Sequence, residues 1–91
     1  MIDEIKNLLL FQNQTQVKCL HNEIRIVTEI LENGPLASLE LMKRTGRSIS
    51  GHNHDLKRLV DIGGLIVKIS EDDKRKRMYD VSENIKIFLM Q

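Results

Sequence analysis

A small, mainly helical domain carrying one β-hairpin is the fold class this sequence predicts, and three observations predict it. Gly34-Pro35, Thr45-Gly46 and Gly63-Gly64 punctuate the middle of the chain and divide it into short amphipathic segments. Two runs rich in β-branched and large apolar residues follow, Leu65 to Ile69 and Met78 to Val81, a composition that suits strands. The residues between them, Ser70-Glu71-Asp72-Asp73-Lys74-Arg75-Lys76-Arg77, are all polar or charged and form a tip. Helix, tight turn, helix and hairpin in that order describe a winged helix-turn-helix. The expected fold is mainly α with a small β-hairpin wing, with extra N-terminal and C-terminal helices.

Each element has its own warrant. Residues 1–14 read as a helix with an apolar patch of Ile2, Ile5, Leu8, Leu9 and Phe11, bounded by the polar run Gln12 to Gln16. Val17, Leu20, Ile24, Val27 and Leu31 then fall at spacings of three, four, three and four, one stripe of a second helix. Gly34 stops it, because glycine tolerates the left-handed conformation common at a helix end, and Pro35 cannot continue the hydrogen-bond ladder. Ala37 to Arg44 makes a third helix of barely two turns, with Leu39, Leu41 and Met42 apolar. A fourth, over 48–62, begins at Ser48 and carries Ile49, Leu56, Leu59 and Val60 on its inner stripe. Residues 84–91 close the chain with about two helical turns. The organisation expected is a single domain over 1–91, with 16–83 as the winged-helix core.

Length and composition exclude several classes. A chain of 91 residues buries roughly two thirds of its unfolded surface, enough for one core only. With 3% aromatic residues and no Trp, that core must be built from Ile, Leu and Val. No apolar run approaches the roughly 18 residues needed to cross a bilayer, and Met1-Ile2-Asp3-Glu4 lacks the basic start of a signal peptide, so a cytoplasmic location is expected and no membrane partner. A lone Cys19 allows no internal disulfide and reads as a small core residue rather than a redox sensor. His52 and His54 lie two apart, on nearly opposite sides of a helix, so no metal is expected; His52 reads as a semi-buried core histidine. No nucleophile, acid and base stand at catalytic spacing and no glycine-rich phosphate loop occurs, so neither enzyme activity nor a cofactor is expected.

The net charge of +1 conceals an asymmetry. Between Lys43 and Arg77 there are ten Lys or Arg against five Asp or Glu, a local +5 that leaves −4 for the rest of the chain. The excess collects on the elements that a winged helix presents to DNA, where it suits a polyphosphate partner, since neutralising phosphates releases counterions. A helix that reads bases projects short polar side chains from its first turns, and longer basic ones grip the backbone. Ser48, Ser50, Asn53 and His54 fit the first role, with Asn53 foremost because Asn can pair bidentately with adenine. Gly51 would let the backbone approach closely. Arg47 and Lys57, with Lys43 and Arg44, fit the second role, and Asp55 reads as an exposed partner that orients Arg58. Lys74, Arg75, Lys76 and Arg77 form the basic wing, with Arg75 and Arg77 on one side of an extended chain, suited to a narrow minor groove.

These residues carry a resemblance. Pro35-Leu36-Ala37, Glu40-Leu41, Thr45-Gly46, Ser48, Leu56-Lys57-Arg58-Leu59-Val60 and Gly63 resemble the winged helix-turn-helix core of the MarR and ArsR classes of transcription regulators. Asp73-Lys74-Arg75, followed by Met78, Val81 and Ser82-Glu83, is similar to the MarR wing pattern of Asp, any residue, Arg and an apolar strand. The resemblance spans about fifty residues. It implies that Asp73 and Arg75 hold the hairpin and that Arg75 reaches the minor groove. The chain departs from the MarR pattern at Gly64, an extra glycine where many members have one, expected to loosen the entry to the first wing strand, and after the wing, where only Asn84 to Gln91 remain in place of long dimerisation helices.

The resulting expectation is a sequence-specific regulator that binds double-stranded DNA, a homodimeric repressor with helix 48–62 in the major groove and wing 70–77 at the minor groove or backbone. Ile2, Ile5, Leu8, Leu9, Phe11 and Phe88 are the expected dimer interface, because a three-helix core with a wing has little room to cover them. Two other uses of the fold remain open. A protein-interaction module would present an apolar or acidic second helix, and an architectural or replication factor would bind DNA without regard to sequence.

Overall fold

The computed structural model describes residues 2–16 and 21–89. Val17 and Leu20 of the expected second-helix stripe, and Cys19, lie outside the described residues, as does the side chain of Ile2. Five helices and three strands follow in the order α1 (Ile2–Thr15), α2 (Asn22–Asn33), β1 (Leu36–Ala37), α3 (Ser38–Thr45), α4 (Ile49–Asp61), β2 (Leu65–Ile69), β3 (Arg77–Val81) and α5 (Glu83–Leu89). This is the winged helix-turn-helix the sequence predicts. One element escapes sequence reading: Leu36 and Ala37 form a two-residue strand that pairs antiparallel with β3, Leu36 opposite Tyr79 and Ala37 opposite Met78. Two residues are too few for a periodic signal, and only the partner strand reveals them.

The glycines act at helix ends as expected. Gly34 (φ 82°) and Gly46 (φ 69°) take positive φ after α2 and α3, Gly46 in the left-handed helical conformation and Gly34 with an extended ψ of −172°, and each donates its N–H to the carbonyl four residues back. Gly64 works in the opposite sense to the expected loosening. It is buried; its N–H donates to the Leu59 carbonyl at 2.8 Å, its carbonyl accepts from the Ser82 N–H at 3.0 Å, and a Cβ there would stand 3.2 Å from Ile85 Cδ1. It is the point where α4, the base of the hairpin and α5 come together.

The core is aliphatic. Ile26, Val27 and Ile30 of α2 meet Leu41 of α3, Leu56 and Leu59 of α4, Leu65 and Val81 at the hairpin base, and Leu89 of α5. Leu31 and Val60, expected on inner stripes, pack at its margin. Ile49 does not: it is 66% exposed, because it is the first residue of α4 and lies above the layer that Leu56 and Leu59 fill. The hairpin is antiparallel, with Leu65 opposite Val81, Val67 opposite Tyr79 and Ile69 opposite Arg77, and β2 forms the outer edge of the sheet order β1-β3-β2. Only its base is buried, so the remainder projects as a wing.

A buried carboxylate anchors that projection. Asp80 sits between Tyr79 and Val81 in a strand that sequence reading treats as apolar, and it is 4% exposed. Its oxygens accept from Lys68 Nζ of β2 at 2.9 Å, from Lys86 Nζ of α5 at 3.3 Å and from the Val81 N–H at 2.8 Å. Burial, the largest influence, pushes its pKa up. The Lys68 hydrogen bond, the Val81 N–H and Lys86 together outweigh burial, and the carboxyl is held below its usual value. A depressed folded-state pKa stabilises the fold fully above the unfolded-state value and loses that contribution as pH falls through the folded value. Asp80→Asn is therefore expected to lower stability near neutral pH by about 1–3 kcal/mol, less than for a wholly buried pair because both lysines reach solvent. Urea unfolding at neutral and strongly acid pH checks this, since the variant should lose less stability on acidification than the parent.

Candidate nucleic-acid interface

The short turn Gly46-Arg47-Ser48 swings the chain from α3 into α4. Ser48 takes extended backbone angles and its Oγ accepts from the Gly51 N–H at 3.3 Å, so its hydroxyl caps α4. Sequence reading gave it a base-reading role; in this structure that oxygen is occupied at the helix end. The inner face of α4 buries His52, Asp55, Leu56 and Leu59, which turns Ser50, Asn53, His54, Lys57, Arg58 and Asp61 outward. Ser50, Asn53, Lys57 and Asp61 fall at helical spacing along one exposed ridge.

Between that ridge and the wing runs an open groove of about 290 Å³, lined by Asn53, Lys57 and Asp61 of α4, Val67, Arg77 and Tyr79 of the hairpin, and Ser38 at the start of α3. It brings Asn53, Lys57 and Arg77, expected site residues from two distant parts of the chain, to one place. Tyr79 and Ser38 were not anticipated. Their signal is visible only in register, since Tyr79 stands opposite Val67 and beside β1. Among the described residues neither Lys57 nor Arg77 takes part in an ion pair.

The wing tip is closed by its own backbone: the Ser70 N–H donates to the Lys76 carbonyl and the Lys76 N–H to the Asp73 carbonyl, each at 2.9 Å. Asp73 Oδ1 accepts the Arg75 N–H at 3.0 Å and lies 3.6 Å from Arg75 Nε. The Arg75 side chain is 94% exposed, so this pair shapes the turn without withdrawing the guanidinium. Lys74, Lys76 and Arg77 are exposed around it.

Other expected contacts already have carboxylate partners within the chain. Arg44 pairs with Glu40 at 3.0 Å and Glu29 at 3.5 Å, which fastens α3 to α2, whereas Lys43 is exposed. Asp55 does not orient Arg58. It is 6% exposed and accepts from Asn22 Nδ2 at 2.9 Å and Arg47 Nε at 3.1 Å, while Arg58 pairs with Glu23 of α2 at 3.0 Å. The expected close approach of backbone at Gly51 is also taken up internally: a Cβ there would stand 2.7 Å from Arg47 Nε and 3.0 Å from Cζ. Glycine in a helix interior costs about 1 kcal/mol relative to Ala, and here it clears the path by which Arg47 reaches Asp55. The four-residue steps from Arg47 to Gly51 to Asp55 are the signal that could have shown this line.

On the apolar side, Ile5 is half-buried against the core of its own chain and Leu9 is half-buried, while Leu8, Leu10 and Phe11 of α1 are 42%, 55% and 48% exposed. Ile87 and Phe88 of α5 are also exposed. A Lys6–Glu32 pair at 3.4 Å ties α1 to α2.

His52 lies deeper than expected, at 1% exposure. Its Nε2 is hydrogen-bonded to Ser38 Oγ at 3.1 Å, and Nδ1 is buried with no partner among the described residues. Burial lowers its pKa; a hydrogen bond at Ser38 and the Asp55 charge oppose that without reversing it. A depressed folded-state value means that the stabilisation is complete above about pH 6.5 and is lost as pH falls through the folded pKa. His52→Gln should flatten that slope. Thermal unfolding on the two sides of pH 6.5 checks it, with the parent melting lower on the acid side and the variant shifting much less.

The sequence matches no family model, and no curated protein matches it. Solved structures do. A probable transcriptional regulator from Pseudomonas aeruginosa superposes with a TM-score of 0.70 at 19% identity, over 94% of this chain and 65% of that one. MarR from E. coli gives 0.70 at 19% identity, over 100% of this chain and 67% of that one. The adhesin competence repressor from Streptococcus pyogenes gives 0.65 at 22% identity, over 96% and 64%. The chain spans only 50% of a transcriptional regulator from Thermotoga maritima that it also matches. The protein thus has the winged helix-turn-helix fold of the MarR-type transcriptional regulators.

Proposed function

We propose that the protein is a sequence-specific regulator that binds double-stranded DNA, acting as a homodimeric repressor that occupies a promoter. The observation that carries this reading is the groove in which Asn53 and Lys57 of α4 face Arg77 of the wing, continuous with the exposed cations of the wing tip. In this reading α4 lies in the major groove. Ser50, Asn53 and His54 meet base edges, and exposed Ile49 suits a thymine methyl. Lys57 and Arg77 grip the sugar-phosphate strand that passes between helix and wing, and Lys74, Arg75 and Lys76 meet the next minor groove or its backbone. The likeness in fold to transcription regulators supports the same conclusion. An interaction module would present an apolar or acidic α4, and the outward ridge of this helix, Ser50, Asn53, Lys57 and Asp61, is neither.

Dimerisation supplies what one small domain lacks, a second half-site. Leu8, Leu10 and Phe11 of α1 with Ile87 and Phe88 of α5 leave apolar surface exposed at the two ends of the chain. Burying each such side chain against a twofold partner contributes about 1.5–3 kcal/mol. Leu8→Asp combined with Phe11→Ser is expected to convert a dimer into a folded monomer, as read by sedimentation equilibrium; an unchanged mass would remove α1 from the interface.

Fluorescence anisotropy tests DNA reading, with a duplex from upstream of the protein's own gene and a scrambled duplex, each at two salt concentrations. Specific regulation predicts affinity for the upstream duplex at least about a thousandfold higher than for the scrambled one. Asn53→Ala should cost about 1–3 kcal/mol on the upstream duplex alone. Lys57→Ala should weaken both duplexes about equally and lower the salt slope by about one. Equal losses on both duplexes from the two variants would remove α4 from base recognition, and equal affinity of the parent for both duplexes would favour an architectural role.

A further inference from the structure

The two flanks of α4 differ in charge compensation. On the wing flank, Lys57 and Arg77 line the groove with no ion pair among the described residues, and Asp61 is the single acid beside them. On the α2 flank, Arg47 and Arg58 line a cleft with His21, Glu23, His54 and Asp55. Both of those guanidinium groups carry a carboxylate on Nε, Asp55 at 3.1 Å and Glu23 at 3.0 Å.

The Arg47 pair is built into the fold. Arg47 belongs to the turn before α4, where a cation pointing outward would meet phosphate on any duplex, whatever its sequence. Its side chain, still 45% exposed, instead folds back across the first turns of the helix, through the space left by Gly51, to a carboxylate that is 6% exposed and also accepts from Asn22 of α2. Asp55 without Arg47 would be a buried charge with one amide for company, which makes the pair costly to open. We propose that Asp55 is a specificity-determining positioning residue: it holds Arg47 off the DNA backbone, lowers affinity for arbitrary sequence, and leaves the wing flank of α4 as the seat of the duplex. The inference rests on the reading of α4 as a DNA-recognition helix. It assigns to an acid on that helix a function in discrimination, which in a charge-driven interface requires suppressing contacts that carry no sequence information.

The test uses Asp55→Asn, which keeps the size of the side chain but removes the negative charge that holds Arg47, whose Nε and the Asn22 amide both donate to the same Oδ2. Binding is read by anisotropy with a scrambled duplex and with the duplex from upstream of the gene, at about 50 and 200 mM salt. The scrambled duplex should bind about five- to tenfold more tightly at the lower salt, with a salt slope steeper by about 0.9, one added phosphate contact. Adding Arg47→Gln should return both quantities to the parent values. A role confined to stability predicts the opposite sign, so an Asp55→Asn protein that is folded by circular dichroism and binds scrambled DNA no better than the parent overturns the proposal. If Asp55→Asn does not fold, Arg47→Gln alone decides: unchanged slope in the native background supports a retracted Arg47, and a slope lower by about one overturns it. The parent is measured first. If it binds neither duplex, the reading of α4 fails and this inference falls with it, whereas parent binding with an unresponsive Asp55→Asn removes the inference alone.

Discussion

The seating of α4 governs every other feature of the basic face. A 13-residue helix can offer a polar ridge to a partner only while its opposite face is held, and here that face combines apolar and polar groups. Leu56 and Leu59 enter the aliphatic core, His52 meets Ser38 of α3, and Asp55 meets Asn22 of α2. Burial of Leu56 and Leu59 sets which side of α4 faces the core but is non-directional in detail. Hydrogen bonds are directional, and those at His52 and Asp55 reach different helices, so together they fix the turn of α4 about its own axis. That rotation decides which of Ser50, Asn53, His54 and Lys57 stand outward.

Asp80 applies the same device to the wing. Buried beside the hairpin base, it binds Lys68 from the neighbouring strand and Lys86 from the last helix. The two elements of the proposed interface are thus each held by an interior carboxylate that captures cations from other segments. Pairs in which only the carboxylate is buried add little net stability compared with apolar packing, and removing the cations leaves that charge uncompensated. They suit a small domain that must hold two projecting elements in a defined relation while its core is almost wholly Ile, Leu and Val.

Much of this was legible in the sequence where the signal is local. Gly34, Gly46 and the Gly63-Gly64 stop mark helix ends through backbone conformation alone, and the alternation of apolar runs with a charged tip marks the hairpin. The ridge of α4 follows from helical spacing once Leu56 and Leu59 are recognised as core. What stayed hidden depends on partners far away in the chain. Asp55 looks like a surface acid until Asn22, 33 residues earlier, is placed beside it. Asp80 lies inside an apolar-looking strand, and nothing nearby foretells Lys86 from the following helix. Ile49 satisfies the period of the inner stripe yet lies outside the core, since periodicity gives direction around a helix and says nothing about where the protein surface cuts across it. Arg77 and Lys57 are twenty residues apart, and only the hairpin register shows that they share a groove.

The position of β2 at the sheet edge has a consequence for the behaviour of the protein in concentrated solution. Ile66, Val67 and Ile69 are exposed along a strand whose outer backbone groups have no strand partner in the sheet. Such an edge is a template for adding a strand from another molecule and so for aggregation. The strand is only five residues long, and Lys68 is its fourth residue, with its ammonium directed to Asp80. A short edge interrupted by a lysine is a recognised protection against pairing between chains. The residue that steadies the wing therefore also acts as a gatekeeper, guarding solubility at the longer of the two sheet edges.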